Sequence, residues 1–229
     1  MTRQNIIAAR IGVYPVTQAI LGLTTVMRTA ALYDNFSRSN RFLNDDGRWV
    51  SYGPATDYRA VVENTVVRIG IPDGLTAEAE AVSYMRCAMG RAFSDDGYVQ
   101  CRVFSTGDTS GLTRYATAVF GRVNENFTEG VGIHLAGNQL GLVVRSDGND
   151  TVMATFGEFS SNDVVRLAFT GRDYTMFCNS QRRGSWSDRL GLVESDEAHR
   201  SLGIRVQGAR AADDGPRRFS PALDAVEYG

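Results

Sequence analysis

The 229-residue chain contains no lysine, so all 24 of its basic side chains are arginine, set against 26 Asp and Glu. This absence is read as a bias toward GC-rich codons rather than as selection for guanidinium chemistry. Histidine is nearly missing too. With only His134 and His199, a histidine-rich zinc centre or catalytic triad has almost no inventory to draw on. The three cysteines, Cys87, Cys101 and Cys178, are odd in number and irregularly spaced. That argues against both a disulfide framework and a cysteine metal cluster, and predicts small core hydrophobes. No block of like charge is present. At a net charge of -2 with Arg and acidic residues interleaved, no field forms that would gather phosphates, and nucleic acid is not an expected partner.

A long apolar run is absent as well. The tract of residues 6–32 carries no charge between Arg10 and Arg28, but it is interrupted by Pro15 and Gln18 and diluted by Gly12, Thr17, Thr24 and Thr25. It is shorter than the roughly 20 apolar residues a bilayer core requires, and neither a membrane span nor an export signal is expected. Its apolar positions, Ile6, Ile7, Ile11, Val13, Ile20 and Leu23, fit neither strict alternation nor a helical stripe, and Pro15 breaks any helix crossing it. Residues 1–32 are therefore read as an apolar arm of short extended and helical pieces. It is expected to pack on its own domain or on a neighbouring subunit, which makes it a candidate assembly element.

What the chain does have, from residue 33 to 229, is alternation. A composition of 43% hydrophobic and 22% charged residues suits a globular domain with a full core. In GVGIHLAGNQLGLVVRS, Val131, Ile133 and Leu135 share one face, as do Leu140, Leu142 and Val144 beyond a Gly137-Asn138 turn. RLAFTGRDYTMFCNSQ repeats the design around Gly171-Arg172, with Leu167 and Phe169, then Tyr174, Met176 and Cys178. Further strands are predicted in AVVENTVVRIG, AVSYMRCAM, YVQCRVFST, RYATAVFGRV, TVMATFGE, SLGIRVQG and ALDAVEY. Only LTAEAEAVSYM has helical character, and from Ala81 it reads equally well as strand. Roughly a dozen short strands without intervening helices exclude βαβ units. They predict an all-β, two-sheet antiparallel jelly-roll sandwich.

Two stretches carry a resemblance. Asp34-Asn35-Phe36-Ser37-Arg38 followed by Trp49, and Gly215-Pro216-Arg217 with Leu223-Asp224-Ala225-Val226, resemble the ends of concanavalin A-like (LamG or laminarinase-like) jelly-roll domains. Such domains recur in minor tail proteins of actinobacterial phages. DYTMFCNSQ is similar to that family's hairpin with an Asn-Gly or Asn-Ser turn. The loop SNRFLNDDGRW departs from the usual Arg-Ala-Asp-Gly form, and the arm lies outside the resemblance. The resemblance implies that the Asp-x-Phe strand lies beside the terminal Leu-Asp-x-Val strand. It further implies a non-enzymatic virion structural protein, in the tail rather than the capsid, with an outward domain that contacts host surface glycans. Its partners would be other virion proteins, reached through the arm, and further copies of the chain. A capsid decoration protein, a lectin-like module and a glycoside hydrolase are the alternatives.

Retaining glycoside hydrolysis needs two carboxyls about 5 Å apart, and the laminarinase-type Glu-x-Asp-x-x-Glu does not occur. Glu194-Ser195-Asp196-Glu197 comes nearest but reads as an exposed turn; Glu158 stands alone, and Glu125 and Glu129 fall in a hairpin loop. No catalytic residue is expected. Asp147, Asn149 and Asp150 form an oxygen-rich loop of the kind calcium uses, as do Asp45-Asp46 and Asp95-Asp96. Turns demand the same residues, so no cofactor or metal is expected, with calcium left open. Among aromatics that could stack on a sugar ring, Trp186 in RRGSWSDR is preferred because its flanks suggest a polar loop; the competing reading has it covering the open edge of the sandwich. The candidate carbohydrate set is Trp186, Tyr174, Asp147, Asn149 and Asp150.

Overall fold

A computed structural model describes residues 13–14, 31–53, 57–73, 77–108, 114–212 and 215–229. Its strands are β1 (Val13–Tyr14), β2 (Ala31–Asp34), β3 (Arg41–Phe42), β4 (Trp49–Tyr52), β5 (Ala60–Glu63), β6 (Val66–Ile69), β7 (Glu78–Cys87), β8 (Gly97–Ser105) and β9 (Ala116–Val123). They continue as β10 (Gly130–Ala136), β11 (Gln139–Ser146), β12 (Asn149–Glu158), β13 (Val164–Thr170), β14 (Asp173–Cys178), β15 (Gln181–Ser187), β16 (Ser201–Arg210), β17 (Arg217–Phe219) and β18 (Ala222–Tyr228). A single 3-10 turn, Glu197–His199, is the one helical element among the described residues, and none of their helices is long and apolar enough to cross a membrane. The strands form two antiparallel sheets. A ten-stranded sheet runs β15-β14-β13-β8-β18-β6-β5-β3, with β2 also on β18 and β1 on β2. An eight-stranded sheet runs β12-β11-β10-β9-β16-β7-β4, with β17 on β16.

Period-two patterning builds this sandwich. In the β10-β11 hairpin, Val131, Ile133 and Leu135 face the same core as Leu140, Leu142 and Val144, and Leu167, Phe169, Tyr174, Met176 and Cys178 meet them from the opposite sheet. Gly137 and Gly171 have φ of 59° and 55°, as the first central residue of a tight II′ hairpin turn requires. All three cysteines are buried and free. At the open side, Phe156 of β12 lies on Gly184 of β15, where an added Cβ would sit 2.5 Å from Phe156 Cδ1.

Three expectations are corrected. The segment from residue 75 is not helical where described, and β7 begins at Glu78. QRRGSWS is an edge strand rather than a loop, because β14 offers it a ladder and an edge strand tolerates a polar outer face. Leu32 lies in β2 and in the core, so the domain reaches back into the segment read as arm. Of the arm positions, Val13 pairs with Leu32; Ile6, Ile7, Ile11, Ile20 and Leu23 lie outside the described residues.

The Asp-x-Phe motif has a physical explanation. Asp34, 2% exposed in β2, accepts hydrogen bonds from the Phe36 amide at 2.8 Å, from both Arg38 Nη atoms at 2.7 and 2.9 Å, and from Trp49 Nε1 at 2.8 Å. Because β2 pairs with β18 and Trp49 lies in β4, this carboxylate joins the two sheets and both chain ends of the domain. Asp34→Asn is expected to leave the buried Arg38 guanidinium only its pairing with Asp46, 3.3 Å from Nε, and to destabilise the fold by about 3 kcal/mol. Urea denaturation measures this, and a change below about 1 kcal/mol would remove Asp34 from that role.

Candidate functional site

The outer surface of the eight-stranded sheet, turned away from the core, carries the densest cluster of polar and aromatic side chains. Register alone aligns one row across it: Tyr52 opposite Tyr84, Tyr84 opposite Arg205, Arg205 opposite Ala118, Ala118 opposite His134, His134 opposite Gly141, and Gly141 opposite Thr155. Their strand neighbours Met85, Ile204, Val119, Ile133 and Leu142 are core residues, so alternation points this row outward. Ala118 and Gly141 flank His134 and leave its ring above a low floor.

Longer side chains meet over that floor. Asp150 accepts from Arg145 Nη1 at 2.7 Å and from the Tyr84 hydroxyl at 3.0 Å, while Arg205 Nη1 stands 3.4 Å away. Arg145 also stacks on Tyr84, 4.0 Å from its ring centre. Laid flat, the five inter-strand steps from β12 to β7 would span roughly 24 Å. A tyrosine and an aspartate cannot bridge that, so the sheet curves toward this surface and makes it concave.

One end of the concavity is closed by the loop between β9 and β10. Phe127, 1% exposed, packs over Gly203, where a Cβ would meet its Cζ at 2.5 Å, and makes edge contacts with Phe120, Tyr52 and Tyr84. Arg145 Nε donates to the Phe127 carbonyl at 2.7 Å, and the Tyr52 hydroxyl donates to the Glu125 carbonyl at 2.6 Å. His199 secures the loop's far side, with Nε2 2.6 Å from Glu129 and Nδ1 2.7 Å from Asp196.

The two histidines are perturbed in opposite senses. Burial, assisted by the Arg205 charge, lowers the His134 pKa to about 4, and the imidazole is neutral at pH 7. No hydrogen bond to it comes from the described residues. For His199, desolvation is outweighed by the hydrogen bonds that Asp196 and Glu129 accept from the ring, and its pKa is raised. Both of its ring nitrogens are engaged, which leaves none to act as a base. Desolvation raises the Tyr84 phenol above its ordinary value, so it remains a neutral donor.

Of the candidate carbohydrate set Trp186, Tyr174, Asp147, Asn149 and Asp150, only Asp150 stands on this surface. Asp147, with φ of 50°, and Gly148 form the tight turn before it, and Asn149 Nδ2 reaches back to the Asp147 carbonyl at 3.3 Å. Two guanidiniums already compensate Asp150, so this turn does not fit calcium, and no group of three or more His, Cys, Asp or Glu among the described residues is placed to hold a metal ion. Tyr174 is fully buried, its hydroxyl accepting from Arg122 Nη1 at 2.7 Å, and has no ring face for a ligand. Trp186 lies in the other sheet, half-buried against Tyr174 with ring centres 5.4 Å apart. Glu158 and Glu194 are exposed. Sequence reasoning missed Tyr84, Arg145 and Arg205. For Arg205 the signal was a large polar side chain between two core positions, Ile204 and Val206.

No family model and no curated protein sequence matches the chain. Solved structures do. A β-1,3-1,4-glucanase (lichenase) derived from a mouse hindgut metagenome is similar with a TM-score of 0.57 at 10% identity, over 86% of this chain and 98% of that one. The β-glucanase of Bacillus licheniformis gives 0.52 at 8% identity, over 86% and 97%. The carbohydrate-binding module CBM66 from Bacillus subtilis gives 0.50 at 12% identity, over 79% and 91%. At these identities the likeness establishes the fold, a concanavalin A-like jelly roll.

The histidine shifts set opposite pH dependences. Between about pH 6.5 and 4 the unfolded chain takes up a proton that folded His134 refuses, so its contribution is present above pH 6.5 and lost as pH falls. The His199 contribution is full below pH 6.5 and lost as pH rises through its raised pKa. In urea titrations, His134→Gln is expected to reduce the acid-side loss of stability by roughly 1–2 kcal/mol. His199→Gln should flatten only the alkaline side, and matching slopes for both variants would contradict these assignments.

Proposed function

We propose that the chain binds glycans through the concave surface of its eight-stranded sheet, without turning them over. The observation that carries this reading is the row Tyr84, Arg205 and His134, which stands on the outward, concave face with buried alanine and glycine beneath it. A saccharide presents hydroxyls and apolar ring faces together. This row offers it a neutral imidazole whose nitrogens take no hydrogen bond from the described residues and, beside it, a guanidinium. The shared fold with a carbohydrate-binding module and two glucanases supports the same reading.

The absence of turnover is inferred from the carboxylates. Asp150 is committed to two guanidiniums and a phenol, which occupies both of its oxygens and leaves it a poor nucleophile. Glu80, on the same sheet, is bonded to the Gln207 amide. Following the resemblance at Asp34–Arg38 and Trp49, we further propose that the protein belongs to a tailed-phage virion. There it would be a minor tail protein whose arm joins it to other virion proteins and whose jelly roll meets the host surface; a capsid decoration protein is the second reading.

Full-length protein applied to an array of bacterial surface glycans is expected to bind. His134→Ala should weaken that binding about tenfold, the worth of one or two hydrogen bonds, with no change on Trp186→Ala and no new reducing ends released. Binding lost with Trp186→Ala and kept with His134→Ala would move the site to the other sheet. Gold-labelled antibody on purified particles tests the virion assignment, with label on the tail expected.

A further inference from the structure

We infer that the concave surface selects anionic glycans, those bearing uronate carboxylates or phosphodiesters, over neutral ones. This rests on the glycan-binding reading above and adds the chemical class of ligand. The observation behind it is a charge imbalance that the fold leaves uncorrected.

Three guanidiniums, of Arg86, Arg145 and Arg205, converge here. Arg86 donates to the Tyr52 hydroxyl at 3.2 Å and to the Cys87 carbonyl at 3.5 Å, both neutral acceptors. Arg145 and Arg205 share one carboxylate, Asp150, and the closer pairing belongs to Arg145 at 2.7 Å against 3.4 Å for Arg205. Arg205 Nη2 donates to the Gln207 side-chain carbonyl at 3.0 Å, another neutral acceptor, and its Nε is buried with no hydrogen-bond partner. The remaining acids of these strands do not redress the balance. Glu80, near the start of β7, is bonded to the Gln207 amide that also accepts from Arg205, so its charge meets Arg205 only through that neutral group, and Glu158 lies at the end of β12, the opposite end from Asp150. Tyr84 contributes no charge, since it is protonated.

An arginine held 3.4 Å from a carboxylate that already serves another keeps much of its field for a ligand. In a concave, partly desolvated setting that field is stronger than on an open surface. His134 lies beyond Ala118 in the same row. Its neutral ring has an N–H to donate, so an anion resting over Arg205 and His134, which cover Ala118, would meet both a guanidinium and an imidazole. A neutral hydroxyl in that position would leave the excess charge unanswered. Arginine suits both carboxylate and phosphate because its planar fork matches two oxygens at once.

The experiment measures binding of the full-length chain to paired polysaccharides: polygalacturonate and its full methyl ester, alginate, polyglycerol phosphate, and the neutral glucans cellulose and laminarin. Each is tested at 20 and 200 mM salt by biolayer interferometry, estimates of range set by the Debye length. At least one anionic polymer should bind at least tenfold more tightly than its neutral counterpart, and more weakly at high salt. Arg205→Gln should remove that preference and reduce the salt dependence, while Arg205→Lys retains part of it. A uronate preference identifies a carboxylate ligand; a polyglycerol phosphate preference identifies a phosphodiester. If neutral glucans or the methyl ester bind as tightly as the anionic polymers and Arg205→Gln changes nothing, charge selection is wrong and glycan binding stands. If nothing in the panel binds, both readings fail.

Discussion

The carboxylate of Asp34 is the contact on which the sandwich depends. It sits in β2 beside the last strand, receives Arg38 and the backbone of its own turn, and reaches across the core to the Trp49 indole on β4. A charge so deeply buried is tolerable only because both oxygens are fully hydrogen-bonded and one partner is a guanidinium. The consequence is geometric. The two sheets, which hydrophobic burial alone would let slide over one another, are held in one alignment at the end where the first and last strands of the domain meet.

A second buried cation organises part of the loop end. Arg122 leaves the β9 ladder with φ of 50° and turns inward, 1% exposed, where it donates to the Asp95 carbonyl, the Gly171 carbonyl and the Tyr174 hydroxyl and stacks on Phe169. The Asp95 loop and the Gly171 hairpin are thus gathered on one side chain. The following segment is then free to fold Phe127 back over the concave surface, with the His199 pair behind it. Curvature and closure of the groove are therefore cooperative properties. Remove the loop and the Arg145 position is lost; flatten the sheet and Tyr84 no longer reaches Asp150.

Much of this fold was legible in the chain. The alternation in residues 131–144 and 167–178 places each apolar side chain on the core face that the structure gives it, and the glycines of both turns mark the reversals. The burial of the cysteines followed from their number and spacing. Strand β15 was not legible, because an edge strand that buries little keeps the polar composition of a loop. Trp186 was accordingly placed in a loop and lies in that edge strand, packed on Tyr174. Tyr174 shows the same ambiguity from the other side: alternation correctly set it with Met176 and Cys178 in the core, which removes the ring from any ligand.

The groove was the least legible part. The residues that build it lie on strands 4, 7, 9, 10, 11, 12 and 16 of the chain, and nothing local says that Tyr84 and Asp150, 66 positions apart, will share a hydrogen bond. By itself the sequence determined what period and turn chemistry encode: an all-β sandwich, its hairpins and the inward face of its strands. Tertiary structure alone decided strand order, curvature and the sharing of Asp150 by two arginines. Those depend on non-local pairing and on which side chains rise over the same floor, and alternation within a strand carries no record of its neighbour.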